Sequence, residues 1–230
     1  MSKGVVVSLY DFTGEALKPW AAAGYTCHAF DIQHPREGRI EDGITYRYAD
    51  LHKADTFREL LAEFIYSPTM FGMAFPVCTD LAVSGAAWFK KKTLADPDFQ
   101  VKAVNHAVAC SVFFENLGIP YFIENPVSVL ATKWRKPDYS FHPYEYGGYI
   151  ADDQAEHPRW PEYIAPRDAY PKKTCLWTGC GFTMPEKKSV AVPAGYSTQH
   201  KKLGGKSQRT KDIRSATPRG FARAVFAANG

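Results

Sequence analysis

Long apolar runs are missing from this chain of 230 residues. None approaches the ~20 residues that a membrane-spanning helix needs, so no membrane partner is expected. Cysteine is scarce: Cys27, Cys78, Cys110, Cys175 and Cys180 are an odd, scattered set that frames no disulfide scaffold. Cys27 and Cys110 sit in apolar, periodic surroundings and are expected in the core. Cys175 and Cys180 form C-x4-C, but no second Cys or His pair follows at finger-like spacing, so no metal site is expected. The N-terminal MSKGVVVSLYDF has too short an apolar run for a secretory signal, and a cytoplasmic location is the expectation. Acidic residues are nearly absent from Lys172 to Arg223, where Glu186 and Asp212 stand against twelve Lys or Arg. So one-sided a segment suits a phosphate-bearing partner such as DNA, RNA or a nucleotide. The plainer alternative is a solvated basic tail.

What is present alternates short β-like runs with helical ones. Val5–Leu9 reads as a strand buried on both faces, followed by a turn at Asp11–Gly14 and a helix over Glu15–Ala23 closed by Gly24. Tyr25–Ile32 is a second strand and Tyr46–Tyr48 a weak third, closed by Asp50 and Leu51. An amphipathic helix spans Thr56–Phe64, and Phe71–Phe75 is a fourth strand running into Pro76-Val77-Cys78. The longest helical pattern, Asp98–Leu117, stops at Gly118. Pro120–Ile123 then leads into Glu124-Asn125-Pro126.

This order predicts an α/β fold, a doubly wound, mostly parallel sheet with a small irregular region. Residues 1–131 would form the catalytic and cofactor-binding domain. Residues 132–208, rich in Pro, Gly and aromatics, would be a reduced recognition or lid region. Residues 209–230 would return a helix, Arg219–Ala228, to the first domain. In such sheets ligands bind beyond the carboxyl ends of the strands, where every chemical candidate here lies.

Asp11-Phe12-Thr13-Gly14 joins a strand to a helix, and its glycine lets a ligand approach the backbone. Asp31 ends the next strand, where an acidic side chain can accept from ribose hydroxyls; a surface or capping Asp is the alternative. Cys78 lies past a strand end in a turn with Thr79 and Asp80. A nearby helix N-terminus would lower its pKa and favour the thiolate, although a lone cysteine is more often a small core residue. Glu124 places an acid or base past the next strand, facing Cys78.

Taken in order, SLYDFTG with AAAGYTCHAFDI, AFPVCTDLAVSG and YFIENP resemble the cofactor, nucleophile and Glu-Asn loops of the cytosine-5 DNA methyltransferases, in particular short phage-type members. The resemblance covers roughly residues 4–130. It implies a Rossmann-like methyltransferase fold and S-adenosylmethionine as cofactor, held by Asp11, Phe12, Thr13, Gly14, Asp31, Ile32, Asp50, Leu51 and Pro76. Phe12 and Ile32 would pack on adenine, Asp31 would hold the ribose, and Asp50 would reach the adenine amino group. It further implies that Cys78 attacks cytosine C6 while Glu124 donates to N3 and the exocyclic amine, with Asn125 fixing the loop. Thr79, Ser84, Lys173 and Arg209 would contact the substrate, DNA or a cytosine nucleotide.

Several features depart from the family pattern. Val77 replaces the usual second proline before the cysteine, and Pro126 follows Glu-Asn where valine is common. Lys172 and Lys173 stand where paired arginines would support a flipped base. Trp134, Tyr139, Tyr144, Tyr146, Trp160 and Trp177 could stack bases or instead build a mini-core. Other readings are an enzyme modifying free cytidine nucleotides, transfer of a different group, and a catalytically silent nucleic-acid-binding relative.

Overall fold

The fold is taken from a computed structural model that describes residues 2–194, 203 and 207–230. Eight strands form one sheet: β1 (Val5–Leu9), β2 (Thr26–Asp31), β3 (Arg39–Glu41), β4 (Ile44–Tyr48), β5 (Thr69–Ala74), β6 (Tyr121–Pro126), β7 (Tyr139–Phe141) and β8 (Thr174–Gly179). Their spatial order is β3-β4-β2-β1-β5-β6-β8-β7. Pairings among β4, β2, β1, β5 and β6 are parallel, whereas β3 and β8 run antiparallel to their neighbours. The expected α/β, mostly parallel architecture is therefore observed. From β1 the chain winds out through β2 and β4, then returns to β5 on the other side. The reversal puts the ligand crevice of a doubly wound sheet at the carboxyl ends of β1 and β5.

Alternation along β1 explains how the sheet is covered. Val7 and Leu9 point to one face, packed by α2 (Ala54–Phe64) and α4 (Phe99–Leu117) through Leu60, Phe64, Ala107 and Phe114. Val6 points to the other, packed by α1 (Lys18–Ala22) and the C-terminal helix α7 (Arg219–Asn229) through Trp20, Phe221 and Val225. Burying an aromatic or branched side chain contributes about 1.5–3 kcal/mol, so this two-sided packing is the main driving force for the fold.

Four sequence expectations are corrected. The weak third strand is the second arm of a hairpin, β3–β4. It turns on Asp42 and Gly43, both at positive φ (51° and 74°), as a two-residue hairpin turn requires. The first helix starts only at Lys18, because residues from Gly14 to Leu17 form a turn in which Leu17 N–H donates to the Gly14 carbonyl. A two-turn 3-10 helix (Val83–Trp88) and α3 (Phe89–Ala95), not anticipated, follow Cys78, and a short α5 (Leu130–Lys133) follows β6. Most important, the described part of residues 132–208 contributes β7 and β8 to the sheet itself.

The aromatics of that segment largely turn inward. Tyr146, Trp160 and Trp177 are buried and unavailable for stacking bases, while Tyr139 stays exposed. Trp160, Ile164 and Tyr170 form a small core with Ile213 of α6 (Gln208–Ser215), so the mini-core alternative holds for them. Cys27 and Cys110 are buried, as expected. Among the described residues no cluster of three metal-ligating side chains occurs, and no helix is long and apolar enough to cross a membrane.

Candidate active site

Strands β5 and β6 are parallel neighbours, so the chain leaves both at the same edge and brings Cys78 and Glu124 together. Asn125 is buried, and its Nδ2 donates to the Pro76 carbonyl at 2.9 Å, tying the Glu-Asn loop to the backbone two residues before Cys78. Pro76 thus serves as an anchor between the loops. Further on, Val83 N–H donates to the Val127 carbonyl and Val129 N–H to the Leu81 carbonyl, at 3.1 and 2.9 Å. The cysteine and glutamate loops are laced into one unit.

Lys172 is the third member of the group, and the sequence reading favoured its neighbour Lys173 instead. Register explains the difference. Glu124 pairs with Leu176 across β6 and β8, so the side chains of Leu176 and Thr174 share its face. Continuing that alternation by two places Lys172 on the same side and Lys173 on the other. Lys173 is exposed and its charge acts on Cys175 rather than on Glu124. The Lys172 ammonium donates to the Arg214 carbonyl at 2.6 Å, fixing it beneath α6.

The electrostatics follow from this packing. Burial raises the Glu124 pKa above the ordinary carboxyl range, and the Lys172 charge opposes that shift. Cys78 is also raised, first by desolvation and then by Glu124, with Lys172 again working the other way. The expected depression of the Cys78 pKa is therefore not found. Cys78 is exposed to the groove, yet the short 3-10 helix after it offers no long helix dipole to outweigh the desolvation of its loop and a neighbouring carboxylate. At rest the thiol is the favoured form, and Glu124 is biased towards its protonated, donating form.

Glu124 and Lys172 border a small cavity of about 10 Å³ closed by Phe141, Thr217 and Phe221, room for about one water. Cys78, Thr79 and Ser84 instead line a large open groove of about 1030 Å³. Cys78 thus stands between an enclosed acid and an open approach. Thr79 and Ser84, expected to contact the substrate, are exposed there. Arg209 is not in the groove: its guanidinium lies 5.3 Å from the Tyr163 ring centre. On α6 the groove takes Lys211 and Arg214, three residues apart on one face, whereas Arg209 is rotated roughly 200° from Lys211.

The β1 turn carries the expected cofactor residues in varied settings. Asp11 is buried, accepting from Ser8 Oγ at 2.8 Å and Gly14 N–H at 2.7 Å, with a longer 3.4 Å contact from Thr13 Oγ1. Its carboxylate organises the turn itself. Burial, opposed by those hydrogen bonds and assisted by Asp31 and Glu15, raises its pKa to about 6. Gly14 has φ +67°, and a Cβ there would collide with the Tyr46 ring. Phe12 is half-buried and stacks on His34 at 5.6 Å, so one face of its ring is occupied by the protein.

Asp31 accepts from Gln33 N–H at 2.8 Å, and Ile32 beside it is exposed. Asp50 pairs with Lys53 at 3.2 Å. Leu51 belongs to the core, and its carbonyl accepts from Tyr10 Oη at 2.7 Å.

Part of the basic segment is structural. Arg219 and Arg223 hold backbone carbonyls of the loop near Gln154, and Lys187 pairs with Glu145. Lys201, Lys202 and Lys206 lie outside the described residues. Compared with known proteins, the chain matches no family model and no curated protein.

Proposed function

We propose that the chain is an S-adenosylmethionine-dependent methyltransferase acting on carbon 5 of cytosine in DNA, with Cys78 as covalent nucleophile. The observation that carries this reading is the Cys78–Glu124–Lys172 group at the carboxyl ends of adjacent strands, with Asn125 locking the two loops together. Activated-cysteine chemistry needs a thiol that can reach its substrate and an acid within the same site. Both are provided, one open to a groove and the other enclosed.

The β1 turn suits a cationic, nucleoside-bearing cofactor. Asp11, Glu15 and Asp31 crowd together closely enough that the latter two help raise the Asp11 pKa, and a positive ligand would relieve that repulsion. Asp31 would accept from ribose hydroxyls, while exposed Ile32 and the free side of Phe12 would offer apolar contact to a base. When bound, S-adenosylmethionine supplies an electrophilic methyl group.

The remaining chemistry belongs to the side chains. Cys78 loses its proton to solvent through the groove, and its sulfur adds to C6 of cytosine. Protonated Glu124 donates to N3 and takes up the charge that the addition pushes onto the ring, leaving C5 enamine-like. Once C5 carries the new group, its proton passes to a solvent water in the open groove, the S–C6 bond breaks and the C5–C6 double bond returns. The thiolate is released and the N3 proton passes back to Glu124. Lys172 opposes both pKa shifts, favouring the thiolate of Cys78 and the carboxylate of Glu124.

The test is methyl transfer from labelled S-adenosylmethionine to cytosine-containing DNA by the wild type and by Cys78→Ala and Glu124→Gln. Label in 5-methylcytosine from the wild type, lost in Cys78→Ala, is expected. Undiminished transfer by Cys78→Ala would sink the proposed mechanism.

A further inference from the structure

The groove beside Cys78 carries more than the proposed chemistry requires. Its walls include Trp88 at the end of the 3-10 helix, Lys91 and Lys92 of α3, and Lys211 and Arg214 of α6. Trp88 is 58% exposed, an unusual setting for so large an aromatic surface. Lys91 and Lys211 are exposed, and Lys92 pairs with Asp80 at 2.5 Å. Arg214 donates through Nη2 to the Leu203 carbonyl, while its Nε has no partner among the described residues.

We infer that this groove binds a single-stranded stretch of DNA, with Trp88 stacking on a base and the α3 and α6 cations tracking the backbone on either side of the cytosine presented to Cys78. The inference rests on the proposed cytosine chemistry and names its substrate form. Three arguments favour this occupant.

First, an exposed aromatic set among cations is the combination that holds single strands, because every base offers a π-face while the cations meet phosphates. Second, cations reach the groove from two separate helices. A free nucleotide has its phosphate at one point and would use one set, whereas a strand has phosphates both before and after the target. The groove volume of about 1030 Å³ also lies at the top of the ~300–1,000 Å³ range of small-ligand pockets. Third, among the described residues the groove lining carries no Asn or Gln and a single Arg, Arg214, so it offers few of the side chains that read base edges. Reading a duplex in its groove takes several side chains at base edges. Extracting a paired base also costs a few kcal/mol that a single strand does not impose.

Binding can be measured on the full chain without cofactor, by anisotropy of a labelled cytosine-containing oligonucleotide. The comparison uses the single strand, the same sequence as a duplex, and deoxycytidine monophosphate as competitor. The single strand should bind at least tenfold more tightly than the duplex, and the mononucleotide should compete only weakly. Trp88→Ala should lose roughly tenfold in affinity, in line with loss of one stacked base.

Lys91→Ala and Lys211→Ala should each lower the slope of log affinity against log salt by about 0.7. Both are surface positions, so they test the groove even if the tryptophan variant folds poorly. Duplex binding as tight as the single strand, full competition by the mononucleotide, or unchanged affinity and salt slope in the variants would overturn the inference. Because no cofactor or transfer enters this assay, its result is independent of the methylation test. Single-strand binding without methylation would spare the groove and refute the chemistry, and methylation with preferred duplex binding would do the reverse.

Discussion

Replacing Asn125 by leucine isolates the tie between the cysteine and glutamate loops. The side chains are similar in size, and the site is buried with 1% exposure, so the change removes polarity with little change in volume. Asn125 Nδ2 then no longer satisfies the Pro76 carbonyl, a loss worth about 1–3 kcal/mol when an acceptor is stranded in the interior. Part of this is returned, because Asn125 Oδ1 is itself buried without a partner among the described residues and disappears with the substitution. The net cost should be about 1 kcal/mol, a fall of roughly 2–4 °C in melting temperature for a domain of this size. The backbone bonds from Val83 and Val129 remain and keep the loops adjacent.

The catalytic cost should be larger than the stability cost. Pro76 is two residues from the proposed nucleophile, and releasing it frees Cys78 to shift relative to Glu124. A misplacement of about 1 Å costs on the order of 100-fold in rate. The assay is the rate of covalent adduct formation with 5-fluorocytosine DNA and cofactor, beside thermal unfolding of the same preparation. A melting temperature lowered as stated, with a rate within threefold of wild type, would refute the positioning argument.

Other changes test other parts of the account. Lys172→Met removes the charge that opposes both pKa shifts, so Cys78 and Glu124 should both rise further; the alkaline-rising limb of the pH–rate profile should move to higher pH, while Lys172→Arg stays near wild type. An unmoved limb in Lys172→Met would exclude that role. Gly14→Ala forces a side chain at φ +67° into Tyr46 and should weaken S-adenosylmethionine binding at least tenfold by calorimetry; unaltered affinity would place the cofactor elsewhere. His157 accepts from Arg159 and Trp160 N–H through Nδ1, and burial, with nearby Arg219, Lys18 and Arg159, lowers its pKa to about 3. The stability this gives is complete above the unfolded value of about 6.5 and is lost as pH falls towards 3, by at most about 1.4 kcal/mol per pH unit. Denaturant unfolding should show that slope in wild type but not in His157→Asn, which can accept the same amides without titrating; equal slopes would contradict it.

The candidate site was legible where sheet geometry alone brings residues together. Apolar runs ending in Tyr10-Asp11, Asp31, Cys78 and Glu124 put chemical side chains on one sheet edge, and the strand order bears that placement out. What stayed hidden depended on partners distant in sequence. Lys172 could have been preferred to Lys173 only by knowing that Glu124 pairs with Leu176, since a one-residue change of register exchanges the faces.

The Asp42-Gly43 turn did carry a hairpin signal, masked by short flanking strands of mixed polarity. The aromatics of residues 132–177 look alike as letters. Tyr139 is exposed and Tyr146 buried because β7 and the following turn pack against α7, a contact no local pattern announces. The direction of the Cys78 shift was hidden for a related reason: it comes first from desolvation by packing around the loop and then from Glu124, 46 positions further along the chain.

The most direct measurement of the central claim is intact-protein and peptide mass spectrometry after incubation with S-adenosylmethionine and DNA containing 5-fluorocytosine. Fluorine at C5 cannot leave as a proton does, so the adduct should persist. A stable protein–DNA species linked through Cys78 is expected, absent in Cys78→Ala and dependent on cofactor. A cross-link at another residue, or 5-methylcytosine formed without any Cys78 adduct, would contradict it.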